Sequence, residues 1–119
     1  MKTQKRFLPT LTLCLGTVCA LTTFTALGAD PKIQEIWDKQ CASCHGKDGK
    51  GETKMGKKVD AKDYTDPKVQ AEIKDDTALE KLKNGITEKG KERMKPFKEK
   101  LTEDEMKALI AHIRTLCKK

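Results

Sequence analysis

The stretch Cys41-Ala42-Ser43-Cys44-His45 decides how this chain is interpreted. Two residues separate the cysteines, so both sulfurs can lie along one edge of a flat ring, and the histidine follows the second cysteine directly. This is the pattern of covalent haem attachment, in which two thiols add across the haem vinyl groups and the imidazole reaches the iron. The motif therefore predicts one haem c, attached through Cys41 and Cys44, with His45 at its iron.

Two other kinds of site use a similar cysteine pair. A zinc site would need His112 and Cys117 as further ligands, but residues five apart on a helix point about 140° away from each other. A thioredoxin-like redox pair normally follows a strand in an alternating strand and helix pattern, and no sustained period-two alternation occurs here. Haem attachment is therefore the preferred interpretation.

The first 28 residues have the features of a secretory signal peptide. Lys2, Lys5 and Arg6 precede the uncharged residues 7–29, which end in small residues. An uncleaved membrane anchor is the alternative, because an uncharged run of 23 residues is long enough to cross a bilayer. We predict a leader over residues 1–28 and one domain over residues 29–119, located in the periplasm or, with an uncleaved leader, anchored to the membrane and facing the periplasm.

The predicted mature chain is small, highly charged and poor in aromatic residues. It contains 22 basic and 18 acidic residues, and its only aromatic side chains are Trp37, Tyr64 and Phe97. A domain of about 90 residues buries little apolar surface by itself, so the haem is expected to complete the core. The lysines can attract acidic partners or simply keep the protein soluble.

Helix signals recur along the mature chain. Asp30-Pro31 and Asp66-Pro67 each combine an N-cap with a proline at the first helical position. Thr77 with Glu80 and Thr102 with Glu105 have the spacing of capping boxes. The glycine-rich residues 46–56 are predicted to form a loop, and Asn84-Gly85 to end a helix. The fold class is therefore all-α, with three to five helices and long loops.

The chain resembles the class I monohaem c-type cytochromes. The resemblance rests on three features in order: the haem motif, Leu82-Lys83-Asn84-Gly85 at the end of a middle helix, and Met94-Lys95-Pro96-Phe97 before an amphipathic C-terminal helix. It covers nearly all of residues 31–116. Proline commonly follows the ligand methionine directly, whereas here it comes one residue later, and His112 stands where an aromatic residue is common.

The resemblance implies a small cytochrome c fold in which the N- and C-terminal helices cross beside the haem, so that Trp37 meets the face of Ile113. It implies His45 as the proximal and Met94 as the distal ligand of the iron. It also implies a monomeric one-electron carrier, cycling between Fe(II) and Fe(III), that is not an enzyme. Its partners are redox proteins with acidic docking surfaces; no nucleic acid is predicted, and a membrane only if the leader stays uncleaved.

Other residues leave alternatives open. Met55 is the rival distal ligand, although it follows His45 by only ten residues. Without a methionine ligand, a five-coordinate haem would make the protein a peroxidase or gas sensor, and Arg93 would be its candidate distal arginine. Met106 is predicted to pack on the apolar face of the last helix. His112, beside that face, is predicted to pack or to form a surface hydrogen bond, with a role as an alternative iron ligand also open. Tyr64 is expected to pack, with a haem propionate as an alternative hydrogen-bond partner, and Cys117 is an unpaired thiol of undecided role.

Overall fold

The computed structural model describes residues 30–117, and the predicted leader lies outside them. These residues form five helical stretches and one short hairpin. The first stretch is continuous and consists of α1, a π-helical turn and α2. The elements are α1 (Pro31–Ile36), the π turn (Trp37–Cys41), α2 (Ala42–His45), α3 (Lys54–Val59), α4 (Pro67–Glu72), α5 (Asp75–Asn84), β1 (Ile86–Glu88), β2 (Lys91–Met94) and α6 (Glu103–Thr115). The predicted helical class is confirmed.

Three of the four predicted helix starts are confirmed. Asp30 and Asp66 cap α1 and α4 by accepting a hydrogen bond from the backbone two residues later. Thr102 and Glu105 form both bonds of a capping box at the start of α6. The box predicted at Thr77 is wrong, because α5 already begins at Asp75 and Thr77 lies inside it.

The N- and C-terminal helices pack against each other, as expected. Trp37 and Leu109 are each only 1% exposed and lie in one apolar cluster with the partly buried Ile113. Burying a large aromatic side chain removes its surface from water and contributes a few kcal/mol, about 2 to 3 at typical transfer values. This crossing is therefore a principal source of cohesion, and it lies directly beside the cysteine motif.

A second apolar cluster lies between α5 and α6. Its buried members are Leu82, Phe97, Met106 and Ile110. Met94 packs against it from the end of β2. The amide of Phe97 donates to the carbonyl of Leu82 at 2.9 Å, which fixes the segment after Met94 to the end of α5.

Two elements were not expected from the sequence. The antiparallel β1–β2 hairpin turns through Lys89 and Gly90, which both have positive φ. It is too short for a periodic apolar pattern to show. Helix α3 also begins within the predicted glycine-rich loop, where Thr53 accepts a hydrogen bond from the amide of Gly56 and so caps the helix.

A polar clamp joins the middle of the chain to α6. The side-chain amide of the buried Gln70 donates to the backbone carbonyls of Tyr64 and Ile113, at 2.7 and 2.8 Å. Arg114 donates to the carbonyls of Gln70 and Ile73, both at 2.7 Å, and pairs with Asp75. Backbone carbonyls of α4 and of the turn after it are thereby satisfied by side chains from the far end of the chain.

Among residues 30–117, no helix combines the length and the apolar character that crossing a membrane requires.

Candidate haem-attachment site

The cysteine motif lies at the end of the first helical stretch. The π turn ends at Cys41, and the four residues of α2 carry Cys44 and His45. Gly46 ends α2 with φ at +79°, a conformation that glycine adopts at little cost, and its amide donates to the carbonyl of Ala42. The chain therefore leaves the motif immediately after the histidine.

Both motif thiols are free of disulfides. Cys41 is buried and Cys44 is half-buried. Burial, and to a lesser extent the neighbouring Cys44, raise the pKa of the Cys41 thiol to about 11, so this group is protonated at neutral pH. A protonated thiol supplies both atoms for addition across a vinyl group: the sulfur bonds to one carbon and the hydrogen goes to the other. The pair therefore fits covalent haem attachment.

His45 is enclosed by aromatic rings. Its ring stacks on Tyr64 with centroids 5.0 Å apart and planes 23° apart, and the ring of Trp37 lies 5.8 Å away. Burial lowers the pKa of His45, which keeps the imidazole neutral, the form that binds a metal. Its Nδ1 atom is buried and lacks a hydrogen-bond partner among the described residues. An orphaned, neutral imidazole next to two thiols fits a haem ligand.

Trp37 anchors these surroundings. Its indole nitrogen donates to the carbonyl of Gly46 at 3.2 Å, which ties the π turn to the residue that follows the motif histidine. Trp37 was expected at the helix crossing, but its contacts with His45 and Tyr64 were not. A lone tyrosine in a segment without apolar periodicity gives no such signal, so the stacking of Tyr64 on His45 could be found only in the structure.

Helix α3 is fastened to the motif by its first turn. The hydroxyl of Thr53 lies 2.8 Å from the carbonyl oxygen of Ser43 and 2.9 Å from that of Cys44. Gly56 packs so closely that a Cβ there would collide with the carbonyl oxygens of Cys44 and Gly51. Helix α3 therefore lies directly against the backbone that carries the second motif cysteine.

The three methionines within residues 30–117 occupy different environments. Met94 is half-buried against the second apolar cluster, at the end of the strand that contacts α3. Met55 on α3 is 48% exposed, whereas Met106 is 2% exposed and confirms its predicted place in the core. Iron ligation by Met94 stays a prediction.

His112 is buried at the helix crossing. It is 7% exposed, and its ring lies 5.1 Å from that of Trp37. Neither ring nitrogen has a hydrogen-bond partner among the described residues, and burial lowers its pKa. Packing is therefore its structural role. Across residues 30–117, the side chains of the zinc alternative do not come together, since no group of three or more potential ligands could hold a metal ion.

Comparisons with known proteins agree with this site. Residues 28–113 match the family model described as "Cytochrome C oxidase, cbb3-type, subunit III". A solved structure of the "KustC0563 c-type cytochrome" is similar, with 35% identity, a TM-score of 0.64, and coverage of 71% of this chain and 96% of that one. A solved structure of a tyrosine-to-phenylalanine mutant of Kustc0563 is 34% identical, with a TM-score of 0.62 and the same coverage of both chains. No curated protein matches the chain.

Proposed function

Because the chain belongs to the c-type cytochrome family and therefore carries covalent haem c with its iron, we propose that it is a one-electron carrier outside the cytoplasm, with His45 and Met94 as the two axial ligands. The observation that carries this proposal is the enclosure of His45. A neutral imidazole, packed against both Trp37 and Tyr64 and beside two free thiols, is suited to permanent ligation.

The chain's own residues set the conditions for electron transfer. When bound, the haem supplies an iron that exchanges one electron between Fe(II) and Fe(III). Cys41 and Cys44 hold the ring covalently, and the aromatic rings keep the His45 imidazole from turning. A site whose ligands stay in place changes little in geometry between oxidation states. This rigidity favours fast electron exchange over substrate binding.

The surroundings of the methionines support Met94 as the distal ligand. Met106 is fixed in the core of α6, and Met55 faces solvent on α3. Met94 lies at the end of β2, and the following segment is bonded to α5 through Phe97 and Leu82. A thioether held at a half-buried, defined position can be presented to iron. Methionine opposite histidine also gives a higher reduction potential than two histidines.

The location is part of the same proposal. Residues 1–28 act as a signal peptide, and residues 29–119 form the periplasmic cytochrome domain, a monomer that exchanges electrons with other redox proteins. The charged start and small-residue end of the leader support this assignment. N-terminal sequencing of the exported, haem-loaded protein should begin near Ala29. An intact Met1 terminus in the membrane fraction would favour the anchored alternative.

The ligation is tested by optical spectra of the oxidised and reduced protein, with carbon monoxide added to the reduced form. We expect wild type to be low-spin, with a methionine-to-ferric-iron band and no shift on adding carbon monoxide. Met94→Ala should keep the haem attached but become high-spin and bind carbon monoxide. Met94→His should stay low-spin and have a lower reduction potential than wild type.

Met55→Ala is the matched control, because it truncates the other non-core methionine of the described domain. It should leave the spectrum and potential unchanged. A methionine band that survives in Met94→Ala but disappears in Met55→Ala would transfer the ligand role to Met55. A wild-type protein that is high-spin and binds carbon monoxide would support the peroxidase or gas-sensor alternative instead.

A further inference from the structure

Arg93 precedes Met94 in β2, and its guanidinium reaches the C-terminal end of α3. Its side chain is only 22% exposed. The Nη1 atom donates to the carbonyl oxygen of Lys58 at 3.2 Å and lies 3.1 Å from a carboxylate oxygen of Asp60. The Nε atom faces Glu88 at 3.8 Å, which is too long for a hydrogen bond. The arginine that the five-coordinate alternative would use at the distal side of the haem is therefore held by α3.

The end of α3 is suited to bind this cation. The last carbonyls of a helix have no partner within the helix, and the helix dipole favours positive charge there. Lys58 lies in the last turn of α3, and Asp60 ends the helix in a left-handed conformation, with φ at +56°. Arg93 donates to one of the last carbonyls and pairs with the carboxylate of the residue that ends the helix. It therefore caps a helix from a position 35 residues further along the chain.

The other end of α3 is attached to the haem-attachment motif. The hydroxyl of Thr53, at the start of the helix, donates to the carbonyls of Ser43 and Cys44. The helix has six residues, so it spans about 9 Å at 1.5 Å per residue. One short, hydrogen-bonded helix therefore connects the backbone of the motif, at its first turn, with Arg93 and the strand that ends in Met94, at its last turn.

The backbone around Met94 is fixed differently on its two sides. After Met94, the chain packs closely on the end of α5: a Cβ on Gly85 would lie 2.5 Å from the carbonyl oxygen of Met94 and 2.9 Å from the nitrogen of Pro96. Before Met94, the chain belongs to a two-stranded hairpin, which by itself is marginally stable in water. Within residues 30–117, the side-chain hydrogen bond of Arg93 is the one that joins this hairpin to another element. Arg93 therefore supplies a support that the hairpin lacks.

We propose that Arg93 is a positioning residue for the distal ligand: through α3 it connects the strand that ends in Met94 to the haem-attachment motif, and so keeps the thioether at the iron. This inference rests on the proposed ligation by His45 and Met94. Helix α3 then links the two segments that carry the axial ligands. Loss of Arg93 should leave the haem attached and the methionine bound in most molecules, but make release of the methionine easier.

Arg114 offers a matched control for Arg93. It donates to the carbonyls of Gln70 and Ile73 at the C-terminal end of α4, and it also pairs with a carboxylate. Both arginines therefore hold the end of a six-residue helix from an element that comes later in the chain. Arg114 belongs to α6 and does not support the hairpin, so its loss should weaken the domain without releasing the distal ligand.

The test measures the affinity of the oxidised, haem-loaded protein for imidazole, which must displace the distal ligand to reach the iron. The apparent affinity is proportional to the fraction of molecules in which Met94 has left the iron. Arg93→Gln should raise this affinity about tenfold, which corresponds to about 1.4 kcal/mol and is similar to the net contribution of one hydrogen bond. Without imidazole, its spectrum should stay low-spin and keep the methionine-to-ferric-iron band. Met94→Ala gives the upper limit, because imidazole then displaces no methionine.

Two further variants separate the positioning role from general stability. Arg114→Gln should lower the free energy of unfolding at least as much as Arg93→Gln, but its imidazole affinity should stay within about twofold of wild type, as expected for independent sites. Asp60→Asn removes the ion pair and keeps a residue that tolerates positive φ. It should raise the imidazole affinity only about twofold, because the carboxylate is 79% exposed. In an Arg93→Gln background, Asp60→Asn should have no additional effect.

Two outcomes would overturn the role of Arg93 while leaving the ligation by Met94 intact. The first is a wild-type protein with the methionine band whose imidazole affinity does not change in Arg93→Gln. The second is an equal rise of affinity in Arg93→Gln and Arg114→Gln, because general loosening of the domain would then explain the effect. A wild-type spectrum without the methionine band, or a wild-type imidazole affinity equal to that of Met94→Ala, would instead contradict the proposed ligation itself.

Discussion

The two sides of the haem motif are built in different ways. On one side, α1 and α6 cross through interlocking apolar side chains, with Trp37 and Leu109 almost fully buried. On the other side, α3 is attached through backbone carbonyls, one threonine hydroxyl and a glycine, while its outer surface exposes lysines. The helix crossing supplies hydrophobic stabilisation, whereas α3 contributes little buried surface of its own.

The two kinds of contact should differ in how well they tolerate substitution. Side-chain packing at the helix crossing can absorb small changes of shape, because neighbouring apolar groups can rearrange. A backbone contact has no such freedom, since no side chain can move away. The α3 side is therefore expected to be more sensitive to a single added methyl group, although it buries less apolar surface.

The largest expected effect comes from Gly56→Ala. The new methyl group would meet the carbonyl oxygens of Cys44 and Gly51, neither of which can move without shifting the motif or the loop. We expect the free energy of unfolding to fall by about 3 kcal/mol, at the upper end of typical overpacking costs. Denaturant unfolding of the haem-loaded protein, followed by circular dichroism, measures this loss.

Gly90→Ala is the control for this comparison. Gly90 has φ at +74° but nothing within 4 Å of a built Cβ, so only the backbone conformation opposes alanine. Its cost should be about 1 kcal/mol. Equal losses in the two variants would show that the close packing of α3 on the motif does not limit substitution at Gly56.

An intermediate effect is expected from pH at the helix crossing. The pKa of His112 is lowered from its ordinary value of 6.5 chiefly by burial, so the unfolded chain takes up a proton before the folded protein does. The free energy of unfolding should therefore be highest above pH 6.5. It should fall as the pH decreases below 6.5, by up to about 1.4 kcal/mol per pH unit. His45 should not contribute once it is bound to iron.

His112→Phe should flatten this dependence between about pH 5 and 6.5, because the ordinary carboxylate range lies lower. The folded state lowers the pKa of Glu103 to about 2 through Lys107 and Lys83, so the stabilisation from this carboxylate is complete within the window and is lost only at lower pH. Unfolding free energies of both proteins across the window provide the measurement. A slope that persists in His112→Phe would assign the effect to other groups.

The smallest expected effect compares two threonines with the same sequence signal. Thr102→Ala removes the threonine hydroxyl that accepts a hydrogen bond from the amide of Glu105, which is one of the two bonds of the capping box of α6. The free energy of unfolding should fall by about 1 kcal/mol. Thr77→Ala lies inside α5 and should cost almost nothing, because alanine has the higher helix propensity. Thermal unfolding of the two variants gives the comparison. A loss at Thr77 as large as at Thr102 would contradict the observed start of α5.

Sequence reasoning succeeded where a local signal and tertiary packing agree. The caps at Asp30, Asp66 and Thr102 and the apolar face of α6 each depend on residues close in sequence. Haem attachment was also predicted from the spacing of the motif, and covalent haem c is confirmed by the family, whereas the individual roles of Cys41, Cys44 and His45 stay predictions. The false capping box at Thr77 shows the limit of such signals, since Asp75 and Asp76 already provide favourable charges at the start of α5.

The remaining features depend on contacts between distant or featureless segments. Tyr64 stacks on His45, and the side chain of Gln70 holds the backbone of Tyr64 in place. No periodic pattern of apolar residues in the sequence predicts this arrangement. The two strands of the hairpin have three and four residues, which is too short to show an alternation of apolar and polar side chains. Helix α3 begins among glycines that favour a loop prediction, and only Thr53 and its contact with the motif identify its position.

The clamp between α4 and α6 also constrains the order of assembly. Gln70 and Arg114 form their bonds across 43 and 44 residues of sequence, so these contacts bear a substantial loop-closure cost before they contribute. Short helices form in about a microsecond, but until α6 exists the carbonyls of Gln70 and Ile73 lack Arg114 and the side chain of Gln70 lacks the carbonyl of Ile113. When the domain folds, the segment that covers His45 is therefore fixed only after α6 has formed, which leaves the motif accessible to haem until the last helix is in place.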